Sequence, residues 1–365
     1  MKKKKNGNLQ QAKNARKDEF YTQATDIEEE LKHYRNYFKD KVVYCNCDHP
    51  SYSEFWRYFH VNFHFLGMKE LISTHYNRKH STYALIYRGG VNEQSDNDYN
   101  NYDKKILLKE NGDFRSKESI ELLKKSDVIV TNPPFSLFKE FVAQLFKYKK
   151  QFIIWGNLNA VTYKEVFPLL QEQKMWIGFT ANKTCVFRLD NSYQKWDKTI
   201  TAEHNDGYKY GKVPSITVYT NIPIKKTSDK IILWKHFKQA DFPVYDNYAA
   251  FECKKVANIP VEQEIDVELN NDRLEEFKKT YGQGIRIIQK GLHSSKCHIK
   301  RPIFGVPITF LCKYNPNTTN PASNIRKSSI NSYQVIGNED TLNIPRGRSY
   351  INGKRQYSRI FIKFK

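Results

Sequence analysis

Two adjacent prolines, Pro133 and Pro134, stand directly behind the run Asp127-Val128-Ile129-Val130-Thr131-Asn132. Proline cannot donate to a sheet ladder, and it biases the residue before it away from the helical region. A strand arriving at Thr131 must therefore stop there and the chain must turn. Leu137 to Phe146 then carries apolar residues at helical spacing, so the region reads as strand, rigid turn, helix. The same alternation extends along the chain. Strands are predicted over Lys41–Cys47, Glu70–Thr74, Tyr83–Arg88, Lys105–Leu108, Phe152–Trp155 and Ile216–Asn221. Helices are predicted from Asp26 with Thr25 as cap, over Ser53–Phe63, over Ser116–Lys125 and over Tyr163–Leu170. Strands alternating with helices predict an α/β protein with a doubly wound, parallel or mostly parallel sheet. In such sheets ligands bind beyond the carboxyl ends of the strands, where Asn46 to Asp48, Asp113, Asn132 to Phe135 and Asn157 should fall.

Punctuation divides the 365 residues further. Residues 1–17 open with Lys2 to Lys5, are polar throughout and read as a mobile basic arm. Residues 18–224 hold the alternating pattern, interrupted at 89–103 by an Asn-, Asp- and Gly-rich surface insertion. From Lys225 the texture changes to short strands punctuated by Gly and Pro, after an acidic stretch Ile259–Glu276 that reads as a connector or exposed helix. No internal repeat is present.

Charge sharpens the division. The net charge is +21, and from Arg286 onward fifteen Lys and Arg face only Glu339 and Asp340, a local excess of +13. Such an excess implies a polyanionic partner, nucleic acid above all. Six cysteines without a paired framework, and the lack of an apolar run of membrane-spanning length, point to a reducing cytoplasm and no membrane. Cys45-x-Cys47 with His49 nearby has no second half-site of matching spacing, so no metal is expected.

The Thr131-to-Phe135 turn, TNPPF, carries the chemistry. An exocyclic amine on a nucleobase is a poor nucleophile because its lone pair is delocalised into the ring. The Asn132 side-chain oxygen and the Pro133 carbonyl can accept its two N–H groups and turn the lone pair outward. Pro133 and Pro134 hold that carbonyl in place beforehand, and Phe135 offers a ring for stacking on a flat base. The motif thus implies methyl transfer to an amine, with Asn132, Pro133, Pro134 and Phe135 as catalytic residues. No cysteine has the Pro-Cys context of a cytosine C5 nucleophile, which excludes that chemistry.

Taken together, these residues resemble the EcoRI-type adenine-specific DNA methyltransferases. The resemblance runs from about Lys17 to the C-terminus through DEFYTQATDIEEEL at Asp18–Leu31, VVYCNCDHPSYSEFW at Val42–Trp56, GDFRS at Gly112–Ser116 and TNPPFSLFKEF at Thr131–Phe141. It continues through IIWGNLNAVTYKE at Ile153–Glu165, GVPITFLCKYNP at Gly305–Pro316 and INGKRQYSRIFIK at Ile351–Lys363. The resemblance implies a Rossmann-like catalytic domain that uses S-adenosylmethionine, N6 of adenine in double-stranded DNA as acceptor, and a strand-rich C-terminal target-recognition domain. It implies that Tyr21 and Thr22 close over the donor and that Asp113 accepts from the donor's adenine amine. Asn46 and Asp48 follow the first strand in the place of the usual Gly-rich loop and are, with Asn132, the further candidate donor contacts, and Thr74-His75-Tyr76 lacks the acidic residue expected to hold the ribose hydroxyls. Arg286, Lys296, Arg301, Arg346, Arg348 and Arg355 are the candidates for DNA contact, Arg being suited to guanine edges. A monomer is expected, acting beside a cognate restriction endonuclease without a stable complex. The rival readings are methylation of cytosine N4, of RNA or of a protein glutamine, and a catalytically silent DNA-binding scaffold.

Overall fold

The first predicted strand, Val42-Val43-Tyr44-Cys45, is buried at every position, as a strand covered on both faces must be. It lies at the centre of a large mixed sheet in a computed structural model that describes residues 20–77, 82–90, 102–189, 200–201, 209–223, 233–314 and 330–365. The predicted arm at 1–17 and most of the predicted insertion, 91–101, lie outside the described residues.

The sheet contains β1 (Phe20–Thr22), β2 (Val42–Cys45), β3 (Glu70–Thr74), β4 (Tyr83–Tyr87), β5 (Lys104–Leu107), β6 (Val128–Thr131) and β7 (Gln151–Asn157). It is completed by β8 (Trp176–Ile177), β9 (Lys183–Leu189), β10 (Ile200–Thr201) and β11 (Lys209–Thr220). The order is β1-β9-β11-β7-β6-β2-β3-β4-β5, with β8 and β10 pairing β11. Parallel pairing is confined to β7, β6, β2 and β3. This corrects the expectation of a mostly parallel sheet, because β4, β5, β11, β9 and β1 all join antiparallel. Their connections explain the difference: β4 follows β3 after a link too short to hold a crossover helix, so it returns antiparallel. The chain goes from β2 to β3 on one side and later crosses to β6 on the other, so the order reverses between β2 and β6.

Helices Glu54–Val61, Lys117–Lys125 and Phe138–Lys147 start where the sequence places them, the first two capped by Ser53 and Ser116. The helix Ala24–Leu31 begins at Gln23 rather than at Thr25, and Thr25 lies inside it. Its Glu30 is fully buried and accepts from Tyr34 Oη at 2.6 Å, from the Phe179 amide at 2.9 Å and from the Thr180 amide. That carboxylate ties the helix behind β1 to the segment behind β8.

Contacts divide the chain into two units, Met1–Ala160 with Lys174–Ile224, and Val161–Gln173 with Lys225–Lys365. Val161–Gln173, read from sequence as part of the first domain, groups with the second because its helix Phe167–Gln171 packs on a later strand, where Gln171 donates to the Ile336 carbonyl at 3.2 Å. The second unit holds β12 (Phe251–Glu252), β13 (Glu264–Asn270), β14 (Ile285–Lys290), β15 (Ser294–Lys300) and β16 (Phe304–Pro307). It also holds β17 (Tyr333–Asn338), the short β18 (Tyr350–Ile351) and β19 (Lys354–Arg355), and β20 (Arg359–Phe364). One sheet runs β12-β16-β20-β17 and another β13-β15-β14. The acidic stretch Ile259–Glu276, read as a connector or exposed helix, contains the strand β13, its burial alternating so that Glu264, Asp266 and Glu268 face outward and Ile265, Val267 and Leu269 inward, and it ends in the first turn of a helix, Leu274–Tyr281.

A buried ion pair pins the four-stranded sheet. Arg359, on β20, donates from Nη2 to Glu252 of β12 at 2.7 Å and from Nε at 3.1 Å, while Tyr245 Oη donates to the same carboxylate. Removing one member of such a pair strands the other charge away from water, at a cost of roughly 3–5 kcal/mol. Arg359→Leu should lower unfolding stability by about that amount, whereas R359L/E252L should lose far less. Urea denaturation of both variants reads this, and equal losses would reject the pairing account.

Candidate active site

The carboxyl ends of the parallel strands are organised around Asp48. Its Oδ1 accepts from Ser53 Oγ at 2.9 Å and its Oδ2 from Thr131 Oγ1, so the loop after β2 is joined to the end of β6 and to the cap of helix Glu54–Val61. Its backbone joins β3 as well: the Asp48 amide donates to the Thr74 carbonyl at 3.0 Å, and Ser73 Oγ donates to the Asp48 carbonyl at 2.5 Å. Asp48 thus acts on the turn at Thr131–Phe135 as a strut, its carboxylate facing protein hydroxyls.

Beyond Thr131, Asn132 and Pro133 are buried and Pro134 is half-buried. The Leu137 amide closes a tight turn onto the Pro134 carbonyl at 2.9 Å, so the turn's own hydrogen bond uses Pro134 and not Pro133. Phe135 is 9% exposed and meets Phe187 edge-on at 6.3 Å. Phe187 lies on β9, paired with Thr22 of β1, and the neighbouring Arg188 pairs with Tyr21. The element Phe20-Tyr21-Thr22 therefore reaches the same side as the turn through β9. The Arg188 guanidinium lies 5.1 Å from the Tyr21 ring centre and 5.6 Å from that of Tyr52, and donates to the Tyr52 carbonyl at 3.3 Å. Sequence reasoning missed Arg188 and Tyr52, since pairing with β1 is long-range and leaves no local signal.

A second cluster sits after β2 and β3. The rings of His49 and His75 lie tilted against each other at 48° with centres 3.9 Å apart; His49 also meets Tyr52 at 4.5 Å, and His75 meets Tyr83 edge-on at 5.2 Å. Burial pushes the pKa of both imidazoles down to about 4, with the His49 charge adding to the effect at His75. His75 occupies the position where an acidic residue was expected and instead presents a neutral ring.

Asp113 lies on the turn before helix Lys117–Lys125. Gly112, at φ +73°, fits there because a Cβ would stand 2.1 Å from the His75 carbonyl oxygen and 2.7 Å from Thr82 Oγ1. Asp113 accepts from Arg115 at 2.7 and 2.9 Å, and Arg115 also reaches Glu140 at 2.8 Å. Burial raises the Asp113 pKa, but the Arg115 hydrogen bonds and charge outweigh it and hold the carboxyl below its ordinary value.

Among the described residues, the buried atoms Thr22 Oγ1, Asn46 Nδ2, His75 Nδ1 and Thr82 Oγ1 have no hydrogen-bond partner. Buried polar groups are almost always paired, so such orphans on β1, at the ends of β2 and β3 and at the start of β4 are candidates to meet a polar ligand. They mix donor and acceptor types, which suits a nucleoside-bearing molecule. Tyr21, Thr22, Asn46, Asp48 and Asn132 to Phe135 are brought to one side of the first unit, with Asp113 reaching it through Gly112.

The DNA-contact candidates lie in the second unit. Arg286 is exposed on β14 and Arg355 on β19. Lys296 of β15 stands opposite Glu268 of β13. Arg301 is exposed in the left-handed region at φ +49°, its amide donating to the Gln263 carbonyl at 2.6 Å. Arg348 lies 3.5 Å from Glu339, and of Arg346 only the backbone is described, in a short helical turn.

The depressed histidines have a measurable consequence. An unfolded histidine titrates near 6.5, so between about 6.5 and 4 the unfolded chain binds protons that the native site refuses, and stability falls as pH falls through that window. The double variant H49Q/H75Q should unfold with a shallower dependence on pH there, by up to about two protons per molecule. An unchanged slope would show that the rings are not held neutral.

A family model described as adenine-specific methyltransferase EcoRI matches residues 8–280. Among curated proteins the chain is 35% identical to the type II methyltransferase M.EcoRI of Escherichia coli, covering 98% of this chain and 96% of that one. It is 32% identical to type II methyltransferase M.MpnI of Mycoplasma pneumoniae, over 96% of each, and 30% identical to type II methyltransferase M.MgeORF184P of Mycoplasma genitalium, over 96% and 97%. No solved structure matches. With the Asn-Pro-Pro-Phe turn at the strand crossover and a match across three quarters of its length, the chain belongs to the adenine-specific EcoRI methyltransferase family.

Proposed function

We propose that this chain transfers a methyl group from S-adenosylmethionine to N6 of adenine within one short sequence of duplex DNA, as the modification enzyme of a restriction-modification system. The observation that carries this reading is the seat of Thr131–Phe135 at the end of β6, beside Asn46 and at the point where the strand order reverses. Ligands of open α/β sheets bind at that point. In this reading residues 18–224 form a Rossmann-like donor domain and residues 225–365 recognise the target.

The buried Thr22, Asn46, His75 and Thr82 atoms would hold the donor, which supplies an electrophilic methyl group on a sulfonium. Asp113, kept ionised by Arg115, remains an acceptor able to take the donor's adenine amine. Tyr21 covers the donor from β1. Asp48 positions Thr131 and, through it, the turn. Adenine cannot reach a buried site while stacked in the duplex, so it is flipped out. Asn132 Oδ1 and the Pro133 carbonyl would accept its two amine hydrogens and turn the lone pair outward, ready to take the methyl group from the sulfonium; the S–CH3 bond would break as N–CH3 forms, the thioether would leave, and the surplus proton would pass to water. Because Phe135 is largely covered, stacking of the base requires its ring face to open on binding. The basic residues of the second unit supply a salt-dependent affinity for phosphate. The enzyme acts as a monomer in the cytoplasm, beside its endonuclease without a stable complex.

Expression in a host lacking DNA methylation, followed by sequencing that detects modified bases directly, should reveal N6-methyladenine confined to one motif. Unmodified DNA from cells holding folded protein would overturn the reading. Asn132→Ala should lower kcat by about a hundredfold or more, as loss of one preorganised polar contact at a reacting centre does, while DNA affinity stays near that of the parent. Retained turnover would remove Asn132 from the chemistry.

A further inference from the structure

The ribbon formed by β14 and β15 has a composition that its own unit does not use. Every residue of β14 from Arg286 to Lys290 is exposed, including Ile287 at 37% and Ile288 at 47%, and the strand is an edge that pairs only with β15. At the tip between the two strands Leu292 is 88% exposed. This tip is held rigidly. Asn271 Nδ2 donates to the Gly291 and Leu292 carbonyls at 3.0 Å each, the Asn271 amide donates to the His293 carbonyl at 2.9 Å, and Ser295 Oγ donates to Asn271 Oδ1 at 2.7 Å. Gly291 permits the close turn, since a Cβ there would stand 2.4 Å from the Ser294 carbonyl oxygen. Leu292 on a clamped tip, with Ile287 and Ile288 exposed on the adjoining strand, is preorganised to insert into something apolar.

Charge identifies what that is. From Arg286 to Lys300 the ribbon carries Arg286, Lys290, Lys296 and Lys300 and no acidic residue. The acids are gathered on β13 at the opposite edge of the same sheet. There Glu264 and Asp266 hold His298 at 3.2 and 2.9 Å, Glu264 lies 3.9 Å from Lys300, and Glu268 stands across from Lys296. The positive charges of β15 are thus partly neutralised, while those of β14 are not opposed across a strand. A polyanion approaching this sheet is repelled at the β13 edge and drawn to the β14 edge. Pairing of two copies through β14 would bring Arg286 and Lys290 against their own likes, which disfavours a second chain as the occupant.

Resting on the DNA reading above, we propose that the β14–β15 ribbon enters a groove of the duplex, with Arg286 and Lys290 against the phosphates and Leu292 inserted at a base step as an apolar wedge. Two-stranded ribbons fit DNA grooves, and apolar side chains such as leucine unstack the steps they enter. The ribbon lies beyond residue 280, where the family match ends. Of the basic candidates read from sequence, this singles out Arg286, adds Lys290, and sets Lys296 aside as opposed by Glu268.

The test uses the full chain, a duplex carrying the motif mapped by methylation sequencing, and a mixed-sequence duplex of equal length, each with 2-aminopurine placed at successive positions. Leu292→Ala should weaken binding of the motif duplex about tenfold, as loss of a buried leucine side chain does, and should abolish 2-aminopurine fluorescence at one step outside the methylated adenine. R286A/K290A should weaken binding of both duplexes and reduce the slope of log affinity against log salt by about two. All three residues are exposed, so thermal unfolding should be unchanged. Parent-like binding by both variants, or Leu292-dependent self-association in sedimentation equilibrium, would overturn the proposal. Failure of the parent chain to methylate any DNA would instead overturn the function, and the mixed-sequence duplex still reports whether the ribbon binds phosphate.

Discussion

The first unit depends on one carboxylate. Asp48 reaches Thr131 at the end of β6, Ser53 at the start of a helix, and through its backbone both Ser73 and Thr74 on β3. Hydrogen bonds to a charged group contribute roughly 1.5–3 kcal/mol each, more than neutral ones. The rigidity of Pro133 and Pro134 would be of little use if the strand carrying them could slide against β2. Asp48 removes that freedom, so the turn at Thr131–Phe135 is held against β2. Where a Gly-rich loop would bring backbone toward the donor, this chain has a loop cross-linked by side chains.

Burial and pairing then set charge around that frame. His49 and His75 are held neutral by lost hydration, while Asp113 is held ionised by Arg115 despite its own partial burial. Two of the four orphaned polar atoms, on Thr22 and Thr82, belong to hydroxyls that carry no formal charge and can donate or accept. The second unit solves a different electrostatic problem, keeping one ion pair, Arg359 with Glu252, inside and segregating exposed acids and bases to opposite edges of one sheet.

Much of this was legible locally. The prolines at 133 and 134, the buried run Val42–Cys45 and the helices that begin at Ser53 and Ser116 act through near-neighbour sterics and hydrogen bonds, and each stands where reading placed it. The reading went astray where a remote partner decided the outcome. Ile259–Glu276 has the composition of a connector or exposed helix, and a helix does start at Leu274, yet alternation with period two was present in Ile265, Val267 and Leu269, and pairing with β15 makes Glu264–Asn270 a strand. Lys183–Leu189 drew no strand assignment, although it carries the Arg188 and Phe187 that complete the site.

The sequence by itself determined the chemistry of the turn, the α/β alternation and the basic bias of the C-terminal region, because residue type, spacing and net charge are local properties of the chain. Only the tertiary structure decided that parallel pairing in the large sheet stops at four strands, that Asp48 is a strut, that His49 and His75 meet and are held neutral, and that Arg286 is clear of the acids that oppose Lys296. Those outcomes depend on which distant segments meet, and on how much water their meeting removes from each charged group.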